Sequence, residues 1–549
     1  MKTLSLYLTS FLASSAFARN PQHANKGYLN ELPRRSSWSG QQWGPPGYGS
    51  HHNGSGSIIP QNKNTTKFAV DGTKIPDVDF DIGESYAGLL PISSAKNASE
   101  LYFWFFPSAN AQGSEEIIIW LNGGPGCSSL EGLLQENGPF LWQYGTFKPV
   151  KNVYSWTNLS SVVYIEQPAG TGFSKVGVEG PAQNELDVAS QFVGFWKNFV
   201  DTFGLHGRKV FITGESYAGY YVPYIADGFH NQTNKDYYNL DSIMFYDPSV
   251  TYNVLENDIP AVPFVDYWSG LFSFNQTFMD DIHNRWETCG YKAFYEESLV
   301  FPPKGKLPTP PNVDYSAPGC SIWNDIYNAA LLVNPCWDVY QVATTCPLLW
   351  DVLGFPGSIP YLPDGTNVYF NRSDVQKAIN APQQEWDECT NNILPNDNSP
   401  PSGLSVLPRV IEKNQRTIIG HGQLDFILLS NGTLAMIQNM TWNGQQGFST
   451  PPYTWDEFFV PYHPDPELGD IAGAGVFGNW HTERGFTFVT VDLSGHMVPQ
   501  YAPSASYRQL EFMLGRIDNL GVRGDFTTQT GDFGNSFDFV TANVTHKKS

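Results

Sequence analysis

Three short apolar runs, each ending in a glycine-rich loop, constrain this chain more than any other feature. EEIIIWL (115–121) runs into NGGPGCSS, SVVYIE (161–166) into QPAGTGFS, and RKVFIT (208–213) into GESYAG. Runs this short, rich in β-branched residues and bounded by turn formers, read as buried strands. Between the second and third, Glu185 to Phe203 places Phe192, Trp196, Phe199 and Val200 at helical spacing. Strands alternating with helices imply an α/β fold around a mostly parallel sheet. The same signal returns late in the chain, in DVQKAINAP, RTIIG (416–420), FTFVTV (486–491) and a closing helix around SYRQLEFMLGRI.

The hexapeptide GESYAG occurs twice, at 83–88 and at 214–219. A serine presented as a nucleophile needs a buried strand before it, a sharp turn at it and a helix behind it. Ser216 has that context: RKVFIT precedes it and the helix-compatible run AGYYVPYIADGF follows. Ser85 follows PDVDFDI, whose three aspartates make a poor core strand, and precedes LLPISSAKN, which breaks off as a turn. SYAGLLPI and ELYFWFF then read as a surface hairpin beginning at Ser85.

A nucleophilic serine needs a base and an acid downstream, and in α/β-hydrolases the chain order is Ser, Asp or Glu, then His. Asp425 follows the strand RTIIG in GHGQLDF, and His496 follows FTFVTVDL in SGHMVP. Both lie just past strand C-termini, where sites form in open α/β sheets. His496 would take the Ser216 proton, with Asp425 orienting the ring. Backbone donors for an oxyanion are expected from Tyr217, which follows the serine, and from Gly124 in WLNGGPGCSS. The remaining histidines, His421 among them, read as surface or structural residues.

The chain opens with MKTLSLYLTSFLASSAFARN: a basic start, an apolar stretch and an A-x-A site, as in a secretory signal peptide over 1–18. Residues 19–68 are rich in Gly, Ser, Asn, Pro and His, so order is expected from about Phe68, after a flexible leader or pro-segment. Residues 247–370 are dense in Pro, Trp and Tyr and hold four of the six cysteines, which reads as a disulfide-stapled insertion between core segments 69–246 and 371–549. In an oxidising compartment six cysteines suggest three disulfides, with fifteen possible pairings. No C-x-x-C pair points to structural zinc, and neither metal nor cofactor is expected. Asn53, Asn64, Asn97, Asn158, Asn231, Asn275, Asn371, Asn431, Asn439 and Asn543 stand in N-glycosylation sequons. With 41% hydrophobic residues the chain can bury a large core. A net charge of -22 disfavours nucleic acid and anionic membranes as partners, and no later run is long enough to span a bilayer. Secretion is expected; whether the final address is the medium, the wall or a vacuole is left open.

Taken in order, WLNGGPGCSSLEGLLQENGP, EQPAGTGFS, GESYAGYYVP, LDF and GHMVP resemble the serine carboxypeptidase family, from about Phe68 to the closing helix. QNMTWNGQQGF and the N-terminal half of YAPSASYRQL resemble its secreted fungal branch. The resemblance implies an α/β-hydrolase core with an inserted domain over the site, and release of single residues from the C-termini of peptides or proteins, favoured at acidic pH. It places the triad on Ser216, Asp425 and His496, the oxyanion donors on Gly124 and Tyr217, and recognition of the substrate C-terminal carboxylate on Asn122, Gly123, Glu136 and Glu215. On its surroundings alone Glu136 reads as an exposed helix residue. Two glutamates can face an anion only if they hold protons, and packed carboxyls do share protons at raised pKa values. The resemblance also implies a Cys127–Cys389 disulfide, with the other four cysteines stapling the insertion. Leu428 stands where some members carry a free cysteine. An acyltransferase or esterase on the same scaffold is the alternative reading, and a binding relative with a dead site the third.

Overall fold

Along Glu116–Leu121 the side chains of Ile117, Ile119 and Leu121 enter one buried cluster while Ile118 and Trp120 enter another. Both faces of this strand are covered, as an unbroken apolar run requires. The computed structural model describes residues 57–355, 362, 365–395, 397–463 and 473–528. The expected signal peptide, most of the expected leader, and the sequons at Asn53 and Asn543 lie outside them.

Among the described residues eleven strands form one sheet: β1 (Ala69–Val70), β2 (Ser85–Pro91), β3 (Glu100–Phe106), β4 (Glu116–Leu121), β5 (Ser161–Glu166), β6 (Lys209–Glu215), β7 (Leu240–Tyr246), β8 (Arg416–Gly422), β9 (Asp456–Val460), β10 (Gly475–Glu483) and β11 (Phe486–Val491). Their spatial order is β1-β2-β3-β5-β4-β6-β7-β8-β11-β10-β9. The six central strands, β5 to β11 in that order, are parallel, and both flanks are antiparallel. This is an α/β-hydrolase sheet with a parallel centre. The strand β7 escaped the sequence reading because Asp241 interrupts its apolar run, yet it lies centrally, between β6 and β8.

The helix Glu185–Phe203 starts where the Asn184 side chain accepts the Leu186 and Asp187 amides, and stops at Gly204 in the left-handed region. Its Phe192, Phe195, Trp196 and Phe199 pack on one face of the sheet together with Tyr221, Val222 and Ile225 of Ala218–His230. The closing helix Pro503–Met513 covers the other face with Tyr507, Leu510 and Phe512.

Order begins earlier than composition suggests. Ile59 is buried, and the Ile58 and Ile59 amides donate to the Glu84 carboxylate at 2.7 and 3.0 Å. Residues 57–68 are polar on average, but two isoleucines and one acceptor give them a seat on the body.

The insertion is helical, with Asp258–Tyr267, Gln276–Thr288, Tyr291–Ser298 and Ile322–Val333. Cys289 pairs with Cys320, and Cys336 with Cys346. Its apolar cluster, with Val262, Ile282 and Ile326, also takes in Leu424, Phe426 and Leu429 from the returning chain. Insertion and core therefore share packing at the segment that carries Asp425. No helix among the described residues is long and apolar enough to cross a membrane.

Candidate active site

The strand β6 ends at Glu215, and Ser216 takes φ 61°, the left-handed region that non-glycine residues avoid. The turn is held by the Ser216 amide, which donates to the Tyr246 carbonyl at 3.0 Å, and the helix Ala218–His230 starts two residues on. Strand, strained turn and helix together push the serine side chain out of the sheet. Gly214 is needed because a Cβ there would lie 2.4 Å from the Leu121 carbonyl oxygen. At Gly123 a Cβ would lie 2.4 Å from the Tyr217 amide nitrogen, so the loop after β4 presses directly on the elbow. That loop is tied from behind by the Cys127–Cys389 disulfide, whose Cα atoms are 3.8 Å apart.

The other GESYAG differs in its surroundings. Ser85 begins β2, pairs antiparallel with β3, and is 2% exposed, so the hairpin is there but not at the surface. Its hydroxyl accepts the Trp104 indole N–H at 3.1 Å. Replacing Ser85→Ala is expected to leave peptide turnover within about twofold. It should lower stability by about 1–2 kcal/mol, because the buried indole loses its acceptor. A thermal melt beside a turnover assay checks both.

Asp425 and His496 meet at 2.8 Å, Oδ2 to Nδ1. Asp425 also accepts the Ile427 amide at 2.7 Å and the Leu428 amide at 3.3 Å. Burial works against a charged His496, but the Asp425 charge and hydrogen bond outweigh it and hold the imidazole above its ordinary value. Its Nε2 is buried and makes no hydrogen bond to Ser216 or to any other group among the described residues. Ser216 and His496 line one cavity of about 720 Å³. The insertion fixes the loops that carry Asp425 and His496. Tyr340 accepts the His496 amide at 2.8 Å, and the Trp323 and Trp268 indoles donate to the Phe426 and Gln423 carbonyls at 2.7 and 3.0 Å.

Behind Asp425 lies a pair that the sequence did not reveal. His421 and Asp247, both fully buried, meet at 2.7 Å. Burial pushes His421 down to about 4, leaving it neutral. Burial and then the Asp425 charge push Asp247 well above the carboxylate range, so it enters as the neutral acid. Asp247, His421 and Asp425 each offer a ligand atom within 4.8 Å of the others. Asp247 Oδ1 serves both the Gly422 amide at 2.8 Å and His421, and Asp425 is bonded to His496.

On the other side of Ser216, the Asn122 side chain is oriented by its oxygen, which accepts the Trp120 indole at 2.8 Å and the Gly132 amide at 3.2 Å. Its NH₂ group therefore faces three carboxyls: Glu215 at 2.9 Å, Glu136 at 3.3 Å and Glu131 at 3.4 Å. Glu136 stands in a helix as expected, the π-helical segment Leu133–Asn137, but is 1% exposed and not at its surface. Burial raises it to about 7, and burial with the Glu136 charge raises Glu215 well above its ordinary value. Glu136 and Glu215 also lie within hydrogen-bond reach of each other, an arrangement that a proton held between the two carboxyls satisfies. The Gly124 and Tyr217 amides donate to no acceptor among the described residues. Sequence reasoning missed Glu131, because nothing local marks it as facing Asn122.

Residues 76–515 match the family model for serine carboxypeptidases. A protein named "Probable serine carboxypeptidase" from Arthroderma benhamiae is 59% identical over 473 residues, covering 84% of this chain and 88% of the relative. The serine-type carboxypeptidase F of Aspergillus niger is 44% identical over 480 residues, covering 84% and 88%. Among solved structures, a prohormone-processing carboxypeptidase from Saccharomyces cerevisiae aligns with TM-score 0.60 at 24% identity, over 83% of this chain and 98% of that one. That last likeness bears on the fold alone. With a matched model over most of its length and relatives well above 30% identity, the chain belongs to the serine carboxypeptidase family.

Proposed function

We propose that Ser216, with His496 as base and Asp425 as its orienting partner, attacks the last peptide bond of a substrate and releases its C-terminal residue. The observation that carries this is the buried Asn122–Glu136–Glu215 cluster beside the serine, in which Asn122 donates to both carboxyls and the two carboxyls face each other. Ser216 Oγ adds to the scissile carbonyl while His496 Nε2 takes its proton. The oxyanion forms against the Gly124 and Tyr217 amides, which are free to donate. His496 then returns the proton to the leaving amine, and water hydrolyses the acyl-enzyme by the same route. Asn122 Nδ2, the Gly123 backbone and the protonated Glu136 and Glu215 hold the substrate's terminal carboxylate.

Two opposing titrations then shape the pH profile. His496 must be neutral to act as base, which gives the acid limb. Glu136 and Glu215 must hold protons, which gives the neutral limb. Binding of peptide acids is strongest below the raised values of these carboxyls and weakens as pH rises through about 7. The kcat/KM of a blocked dipeptide acid relative to its ester should fall about tenfold between pH 5 and 8, the ratio cancelling the His496 limb that both substrates share. An ester without a free carboxylate should show only the acid limb, and Glu215→Gln should flatten the loss for the acid to under about threefold. An equal profile for acid, amide and ester would favour the esterase or acyltransferase reading. An unchanged profile in the variant would remove the shared-proton account.

Secretion is part of the same proposal, supported by the opening segment, three disulfides and the sequons. Asn64, Asn97, Asn231, Asn275 and Asn371 are exposed and suited to carry glycans.

A further inference from the structure

The mechanism above gives no role to Asp247, a fully buried carboxyl behind Asp425. It follows β7 directly, and its backbone takes φ 40°, in the left-handed region that non-glycine residues avoid. Its amide donates to the Gly420 carbonyl of β8 at 2.9 Å, which holds the strained residue in place. This conformation brings the Asp247 carboxyl to the loop that follows β8, within hydrogen-bond reach of the Asp425 carboxyl.

The neighbours of the two carboxyls dictate where the protons lie. Asp247 Oδ1 accepts the Gly422 amide at 2.8 Å and meets His421 Nδ1 at 2.7 Å. His421 Nε2 lies 3.3 Å from the Thr433 hydroxyl, a possible donor, so a neutral ring with its hydrogen on Nδ1 serves both neighbours. Asp247 Oδ2 is buried and meets no donor. Asp425, in contrast, accepts from His496 and from the Ile427 and Leu428 amides. Two ionised carboxylates this close repel each other, and one proton between them removes the repulsion. Asp425 has the donors that stabilise an anion, so the proton belongs to Asp247. Burial, and then the Asp425 charge, favour the same state and raise Asp247 well above the carboxylate range.

We propose that Asp247 is a positioning residue that stays protonated and donates a hydrogen bond to the Asp425 carboxylate. The bond draws negative charge away from His496, which therefore remains neutral, and able to act as base, further into acid. The inference rests on the assignment of His496 as base and Asp425 as its partner. Its sign follows from charge: without this donor Asp425 favours the imidazolium more strongly, and the acid limb moves to higher pH. Besides the two carboxyls, His496 faces only the neutral His421 and the Tyr340 ring among the described titratable groups. Asp247 also faces Glu215 and Tyr246, and Glu256 stands behind His421. Burial holds all three of these protonated in acid, so none changes charge across the limb.

The test is the acid limb of kcat/KM for an ester without a free carboxylate, on which the carboxylate cradle does not act. Asp247→Asn keeps a donor toward Asp425 and an acceptor for Gly422 and His421. Its limb should stay within about 0.3 pH units of the wild type. Asp247→Leu is similar in shape but donates nothing, and its limb should move up by about one pH unit. A limb that moves down in Asp247→Asn means that Asp247 is ionised, and overturns the proposal. A limb that does not move in Asp247→Leu leaves Asp247 a structural role alone, and overturns it too. So does a limb that shifts when the wild type is dialysed against EDTA, which would put a cation between the carboxyls. If the leucine variant does not fold, neutron diffraction on the wild type decides: a deuteron on Asp247 facing Asp425 supports the proposal, and its absence overturns it. A wild type with no acid limb on the ester would instead sink His496 as base, while the neutron map still reads the Asp247–Asp425 bond.

Discussion

Ser216→Ala is expected to lower kcat for release of a C-terminal residue by about 10⁴-fold or more, with the fold intact. The size follows from what is removed. Without Oγ no acyl-enzyme forms, and His496 has no proton to accept at the reacting centre. What remains is substrate binding and two backbone donors, which act on water poorly positioned for attack. Stability should hardly change, because alanine has the same Cβ as serine and meets the same strain at φ 61°. Among the described residues His496 Nε2 has no hydrogen-bond partner, so removing the Ser216 hydroxyl orphans nothing there. Circular dichroism and a thermal melt beside a progress curve on a blocked dipeptide test all of this. A variant that keeps more than about one hundredth of the wild-type rate would assign the chemistry to another residue. Labelling by an organophosphonate, present in wild type and absent in the variant, reads the same point without turnover.

Folded stability is expected to be higher near pH 4.5 than near pH 8, with the melting temperature falling by about 10 °C between them. Glu166 and Glu256 are both buried, and burial raises each to about 7 in the fold. Their unfolded values lie at about 4.3. A group bound more tightly to its proton when folded contributes stability that is fully present below its unfolded value. That contribution is lost as pH rises through the folded value, here from about 4.3 to about 7. Each of the two accounts for at most a few kcal/mol. The cluster around Asn122 adds to the same trend, since Glu136 at about 7 and the raised Glu215 ionise over the same range. Opposed to this are depressed carboxylates such as Asp227 beside Arg409 and Glu483 beside Ser449 and His481, which lose their contribution only below the ordinary carboxylate range. The maximum therefore falls between the two sets, on the acid side of neutral. Melts across pH 4–8 at fixed ionic strength measure it, and a melting temperature at pH 8 equal to that at pH 4.5 would refute it.

Both predictions trace to different depths of legibility in the chain. The strand–turn–helix around Ser216 was legible because its signals are local: an apolar run, small residues at the turn and an apolar helix behind. The loops carrying Asp425 and His496 were legible for the same reason, each following its own strand. The strand β7 was not, because one aspartate broke the pattern that marks a buried run. Ser85 misled in a smaller way: its aspartate-rich approach suggested a surface hairpin, whereas Trp104, on the neighbouring strand, buries the serine by hydrogen bonding to it.

By itself the sequence determined where the chain turns, that Ser216, Asp425 and His496 each follow a strand, and which family the ordered motifs resemble. These follow from short-range backbone and side-chain preferences. Only the tertiary structure decided which carboxyls lose water. Asn122 meets Glu215 across 93 residues of chain, and His421 and Asp247 become a buried pair behind Asp425 only when β7 and β8 lie side by side. It likewise decided that Glu131 faces Asn122, that the insertion grips the Asp425 and His496 loops, and how Cys289, Cys320, Cys336 and Cys346 pair. Desolvation and charge repulsion depend on neighbours distant in the chain, so the protonation of this site is a property of packing that no local pattern encodes.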